Sequence, residues 1–177
     1  MLLVTGTSGV GKTFTIEAAI RFNISLLRLS GSGILRSLDR PVAGLSDVEA
    51  DENQTAILEF LGRIPDAEAP NILFDGHAVL ETENGLWPIP LSIVDQMRID
   101  GVALVADSVS AVALRRKAKG RSSTFADVTG LQKMEELRSR RIAQHLSVPY
   151  ACVQSGDAPA MVRFLEAVRR PRGEDSR

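Results

Sequence analysis

Eight residues, Gly6-Thr7-Ser8-Gly9-Val10-Gly11-Lys12-Thr13, follow the spacing G-x-x-x-x-G-K-[ST]. That spacing suits the holding of a chain of phosphates. The glycines let the backbone turn tightly and approach phosphate oxygens. The amides from Gly6 to Gly11 would then point inward, at the positive end of a following helix. Lys12 is placed to reach the β- and γ-phosphates, and the Thr13 hydroxyl to meet Mg²⁺. ATP and Mg²⁺ are therefore the expected cofactors. A chance glycine-rich turn could share the pattern, but the flanks argue against it. The apolar run Leu2–Thr5 precedes the motif and the amphipathic stretch Lys12–Arg21 follows it.

Further residues could serve the same chemistry. Asp75 ends the apolar run Asn71–Phe74, where a carboxylate can orient waters on Mg²⁺ or cap the turn before Gly76. Asp107 ends the next apolar run, Gly101–Ala106, and is better placed to cap the helix from Ser108. His77 follows Asp75 closely and is either a contact to an acceptor's phosphate or hydroxyl or a half-buried, hydrogen-bonded histidine. His145 reads as a surface residue. Arg115, Arg116, Lys117, Lys119 and Arg121, then Arg138, Arg140 and Arg141, flank the small polar run Ser122-Ser123-Thr124-Phe125. Cations around a mobile cover would stabilise a phosphoryl group in flight. A solvated helix face is the alternative for any one of these arginines.

These residues need elements to position them. Short apolar runs alternate with amphipathic stretches, the pattern of an α/β fold with a largely parallel sheet. Strands are expected at Leu2–Thr5, Ile24–Leu29, Asn71–Phe74, Gly101–Ala106 and Tyr150–Val153. Helices are expected at Lys12–Arg21, Gly31–Asp39, Asp47–Leu61, Leu91–Ile99, Ser108–Lys119, Leu131–Leu146 and Pro159–Arg169. Residues 81–90, with two prolines and Asn84-Gly85, read as a loop, as does the polar stretch 120–130.

Length and composition agree. The chain's 177 residues suit one domain, taken as 1–170 with a frayed tail at 171–177. Inserted flaps are expected at about 31–63 on the acceptor side and about 119–131 as the lid. Twenty-one Lys+Arg against 22 Asp+Glu give a formal net charge of −1, so no global basic excess draws a nucleic acid. Aromatics at 5% leave little for stacking single-stranded bases. No apolar run is long enough to span a membrane. The single cysteine, Cys152, and the absence of a signal-peptide pattern fit a cytoplasmic protein.

Together with TGTSGVGKT, the segments LSGSGILRSL (29–38), LFDGHAVLETENGLWPIP (73–90) and DSVSAVALRRKAKGR (107–121) resemble nucleoside monophosphate kinases, most closely the archaeal-type adenylate kinases. The resemblance implies a three-layer P-loop NTPase fold with a mainly parallel five-stranded sheet and a lid insertion. It places the first strand centrally, beside the strand that ends at Asp75. It carries the lid role onto Arg116 and Arg121, and onto Arg138 and Arg141. Arg36, in SGSGILR, resembles the arginine of S-T-G-D-x-L-R that grips the acceptor's phosphate. His77 would also face the acceptor. Gly156, in Ser155-Gly156-Asp157, lies where related kinases hold adenine, although a strand-to-helix turn wants the same residues. Two positions depart from the pattern. Gly33 (or Ser32, in a shifted alignment) stands for an aspartate, and Glu81 stands where an arginine is usual; a carboxylate there would repel a monophosphate acceptor. The function implied is transfer of a phosphoryl group from ATP-Mg²⁺ to a small acceptor, with a homo-oligomer possible. The alternative is a P-loop ATPase or nucleotide-sensing module without a small-molecule acceptor.

Overall fold

The structure is a computed structural model, and the residues it describes are 1–23, 25–120 and 124–169. Five parallel strands form the main sheet: β1 (Leu2–Thr5), β2 (Leu27–Ser30), β3 (Ile72–Asp75), β6 (Gly101–Ala106) and β7 (Tyr150–Gln154). Their spatial order is β2-β3-β1-β6-β7, so β1 is central and pairs with both β3 and β6. This is the arrangement expected from the sequence. β1 is buried along its whole length, which its uncharged LLVT sequence permits.

Alternate side chains of the sheet feed two cores. On one face Leu2, Val4, Leu73, Ala103 and Val105 meet Ile16 of α1 (Lys12–Phe22) and Met161 and Leu165 of α7 (Ala158–Arg169). On the other, Leu3, Ile72, Phe74 and Val102 meet Ile34 and Leu35 of α2 (Gly31–Ser37), Ile57 of α3 (Asp47–Leu61) and Ile142 of α6 (Phe125–Leu146). Helices on both faces make the third layer that crossover connections between parallel strands require.

Four expectations change. The second strand begins only at Leu27, and Ile24 lies outside the described residues. Residues 81–90 are not a loop throughout. Val79–Thr82 (β4) and Gly85–Pro88 (β5) pair as an antiparallel hairpin turning at Glu83-Asn84, with Gly85 at φ 118°. A two-residue turn closed by glycine makes a hairpin readily, and Pro88 sits at the strand's end, where its missing N–H costs nothing. The helix expected over Leu91–Ile99 is one turn, α4 (Leu91–Val94). Finally, the stretch 120–130 is helical from Phe125, because Thr124 and Asp127 form a capping box that starts α6. Residues 121–123, and Arg121 with them, lie outside the described residues.

Candidate active site

The phosphate loop leaves the centre of the sheet where β1 ends. Gly6 and Gly11 adopt φ 141° and 106°. A Cβ on Gly11 would lie 2.2 Å from Ser155 Oγ, and one on Gly6 would lie 2.7 Å from the Val105 carbonyl. Both positions therefore demand glycine. No side chain caps α1, and the amides of Gly9, Gly11, Lys12 and Thr13 meet no protein acceptor among the described residues. The Thr7 hydroxyl oxygen is buried in the same loop without a partner among the described residues. Open amides at a helix start, with an orphaned hydroxyl beside them, are the donor set that phosphate oxygens satisfy.

Lys12 is buried at the loop's end and donates to the Gly6 carbonyl; its Nζ lies 4.0 Å from Asp75 Oδ1. Burial lowers its pKa, against the pull of the Asp75 and Glu135 carboxylates. Thr13 Oγ1 donates to Asp75 Oδ2 at 3.2 Å. Thr13 and Asp75 therefore present two hard oxygen donors side by side, as a small divalent cation requires. Arg28, from β2, touches both: its Nη2 is 2.8 Å from Asp75 Oδ2 and 3.1 Å from Thr13 Oγ1.

Asp107, the rival metal candidate, is engaged elsewhere. It accepts from Arg115 Nη2 at 2.6 Å and from the Ser108 amide at 2.7 Å. Arg115 in turn donates to the Gly9 and Val10 carbonyls at 3.2 and 3.0 Å, so Asp107 acts on the phosphate loop through Arg115. The cap of α5 (Val109–Ala118) is Ser108 itself.

Glu135 is a carboxylate that no sequence motif marks. It is fully buried in α6 and accepts from the amides of Gly6 (2.8 Å), Ala78 (2.9 Å) and Val79 (2.9 Å). One side chain thereby ties the start of the phosphate loop to the segment after β3. Burial raises its pKa, opposed by Lys12 and the three amides. His77 Nδ1 lies 3.9 Å from it. The sequence carried a signal: Val128, Leu131, Glu135, Ser139 and Ile142 form one helical stripe, and a carboxylate in a buried stripe needs donors.

A cavity of about 1050 Å³ runs from the phosphate loop, past Asp75 and His77, to α2 and α3. Arg36 lines its far end, where its guanidinium has no protein partner among the described residues. Gln54 lines it too, nine-tenths buried, with no hydrogen bond to its amide among the described residues. Neighbouring Asn53, by contrast, is occupied by the Pro41 carbonyl and Arg40. Arg116 and Glu81 lie on the cavity wall as an ion pair.

The structure does not bring every predicted residue here. Arg138 donates to the Ile89 carbonyl, Arg141 is exposed, and neither lines the cavity. The Gly156 amide donates to Thr15 Oγ1 at 2.9 Å and holds the β7–α7 turn at φ 85°. Gly156 packs beside the Phe14 ring, and it is Phe14 that lines the cavity.

The five-stranded parallel sheet with its phosphate loop has the fold of solved P-loop kinases. Shikimate kinase from Acinetobacter baumannii, in complex with shikimate, matches with a TM-score of 0.61 at 14% identity, over 94% of this chain and 90% of that one. A sugar kinase from Janibacter sp. matches with a TM-score of 0.50 at 14% identity, over 94% and 91%. At such identities the likeness establishes the fold. No protein-family model matches the chain, and no curated protein matches it by sequence.

Proposed function

We propose that the chain is an ATP- and Mg²⁺-dependent small-molecule kinase. The observation that carries this reading is the single cavity with a phosphate cradle at one end and Arg36, Gln54 and His77 towards the other. Both substrates can meet inside it. The acceptor's oxygen forms a bond to the γ-phosphorus as the bond to the β–γ bridging oxygen breaks; ADP leaves, and an acceptor hydroxyl gives up its proton to solvent. Lys12 offsets charge on the β- and γ-oxygens, and the loop amides hold them in line. Mg²⁺, when held by Thr13 and Asp75, supplies charge neutralisation on the phosphates. Arg36 supplies a cation for an anionic group on the acceptor.

Within this class, the Asp75-Gly76-His77 segment and the hairpin after it support the resemblance to archaeal-type adenylate kinases. The Glu81–Arg116 pair supports a different acceptor preference, because it occupies the cation nearest that position. AMP is therefore a poor acceptor. The test is ADP release by the purified protein against a panel of nucleotides, nucleosides, sugars and other hydroxylated acids. One acceptor should stimulate release well above the basal rate. Release that no acceptor changes would favour an ATPase or nucleotide-sensing module.

A further inference from the structure

The geometry points to Arg28 as a resident counter-cation of the metal site, one that the divalent cation must displace from Thr13 and Asp75. This rests on reading those two side chains as the metal's protein donors. Three hydrogen bonds place it: Arg28 Nη2 to Asp75 Oδ2 at 2.8 Å, Nε to the same oxygen at 3.2 Å, and Nη2 to Thr13 Oγ1 at 3.1 Å. The Asp75 side chain is only 10% exposed, so its charge needs a nearby cation. Lys12 approaches no closer than 4.0 Å and already serves the Gly6 carbonyl. Arg28 fills that need.

Charge makes the two cations exclusive. The Thr13 hydroxyl gives its one proton to Asp75 and one of its two lone pairs to Arg28. A divalent cation drawing on the same two oxygens would stand against the guanidinium, cation against cation, while both compete for the Asp75 carboxylate. The Thr13–Asp75 hydrogen bond can stay while Arg28 leaves. A landing place exists as well. Glu17, four residues after Thr13 on the same face of α1, holds Oε1 3.8 Å from Arg28 Nη1. A side-chain rotation moves Arg28 from Asp75 to Glu17, and the strand that carries it stays in place. Arg28 thus keeps the donors paired and ordered and weakens metal binding when no nucleotide phosphate assists.

The test uses Mn²⁺ as the probe, with no nucleotide and no turnover. Free Mn²⁺ is followed by electron paramagnetic resonance while wild type, Arg28→Gln and Asp75→Asn are titrated, with circular dichroism confirming each fold. Arg28→Gln should bind Mn²⁺ about tenfold more tightly than wild type, the scale of a charge-assisted hydrogen bond removed from competition. Asp75→Asn should lose the site. Equal or weaker binding by Arg28→Gln, or no binding by either protein, overturns the proposal. As a second measurement, the Arg28 Nε–H resonance should shift when Mg²⁺ and a non-hydrolysable ATP analogue are added together; a resonance unmoved at saturation also overturns it. Neither readout involves phosphoryl transfer. The kinase reading can fail in the acceptor panel while this exchange stands, and the reverse is equally visible.

Discussion

Arg116 grips both carboxylate oxygens of Glu81, at 3.0 and 2.6 Å, with its own side chain only 5% exposed. The pair joins α5 to the β4–β5 hairpin directly above the phosphate loop, where Arg116 Cγ would be 3.0 Å from a Cβ on Gly9. Glu81 is therefore no bare carboxylate facing an incoming phosphate, and Arg116 is held by the wall of the site. Glu81→Gln takes a charge away from beside the buried Arg116 guanidinium. Glu81→Gln should cost about 1–2 kcal/mol, between the values for exposed and buried pairs, since Glu81 itself is 38% exposed. Thermal melts would show it as a fall in Tm. In the double variant with Arg116→Met the two losses should not add. Glu81→Arg would set two guanidinium groups together, so it should destabilise the fold without improving the use of AMP. Efficient AMP phosphorylation by the wild type would refute the assignment.

Asp75→Asn separates the two carboxylates at the ends of β3 and β6. The substitution keeps the volume of Asp75 and removes its charge from Thr13 and Arg28. Turnover should fall by about 100-fold or more, the scale of losing a charge that acts mainly in the transition state, with ATP affinity changed far less. Asp107→Asn weakens the hold of Arg115 on the loop carbonyls and touches no residue of the Thr13–Asp75 pair. It should raise the KM for ATP more than it lowers kcat. The reverse pattern in steady-state kinetics would move the metal to Asp107.

The strands, the phosphate loop and most helices were legible because each rests on local pattern. LLVT is apolar throughout, Asp47–Leu61 carries its own capping box from Ser46 and Glu49, and the loop has a fixed spacing. What escaped depends on residues far apart in sequence. Arg28 is a lone charge inside the expected strand Ile24–Leu29, and only its pairing with Asp75, 47 residues on, shows why a cation belongs there. Glu135 meets the amide of Gly6 across 129 residues. The hairpin at 79–88 is hidden by Pro88 in it and Pro90 just after it, since proline forbids a central strand but is tolerated at an edge. For Arg138, helical spacing gave no warning that the Ile89 carbonyl would claim its guanidinium.

Acid titration of stability should report on Glu135. Its folded pKa is raised above the unfolded value, so the folded state binds the proton more tightly. That contribution is full below the unfolded carboxylate pKa, about 4.3, and is lost as pH rises through the folded value. Across that window the wild type should lose stability relative to Glu135→Gln, which has nothing to titrate. Urea melts at a series of pH values would read the difference. A gap between the two proteins that stays constant with pH would mean that burial does not govern this carboxylate. The variant should also lose turnover, because an amide NH₂ cannot accept from Val79 while its oxygen serves Gly6 and Ala78.

Gln54 offers the opposite trade between stability and function. Its carboxamide lies in the cavity wall, nine-tenths buried and without a protein partner among the described residues, beside the apolar side chains of Ile57 and Leu35. Its amide atoms face the open cavity, where water can bond them, so folding alone draws nothing specific from this amide. A ligand in the cavity would use it. Gln54→Leu, close in volume, should therefore leave the stability nearly unchanged, since it breaks no protein hydrogen bond among the described residues. The same variant should raise the KM for the acceptor about tenfold, the loss expected for one hydrogen bond to the ligand, with the KM for ATP unchanged. Arg36→Ala should weaken the acceptor likewise while leaving Tm nearly unchanged, since Arg36 is exposed and its side chain makes no hydrogen bond or ion pair among the described residues. A Gln54→Leu protein that melts lower and keeps its acceptor KM would place the amide in the fold's service and remove it from the site.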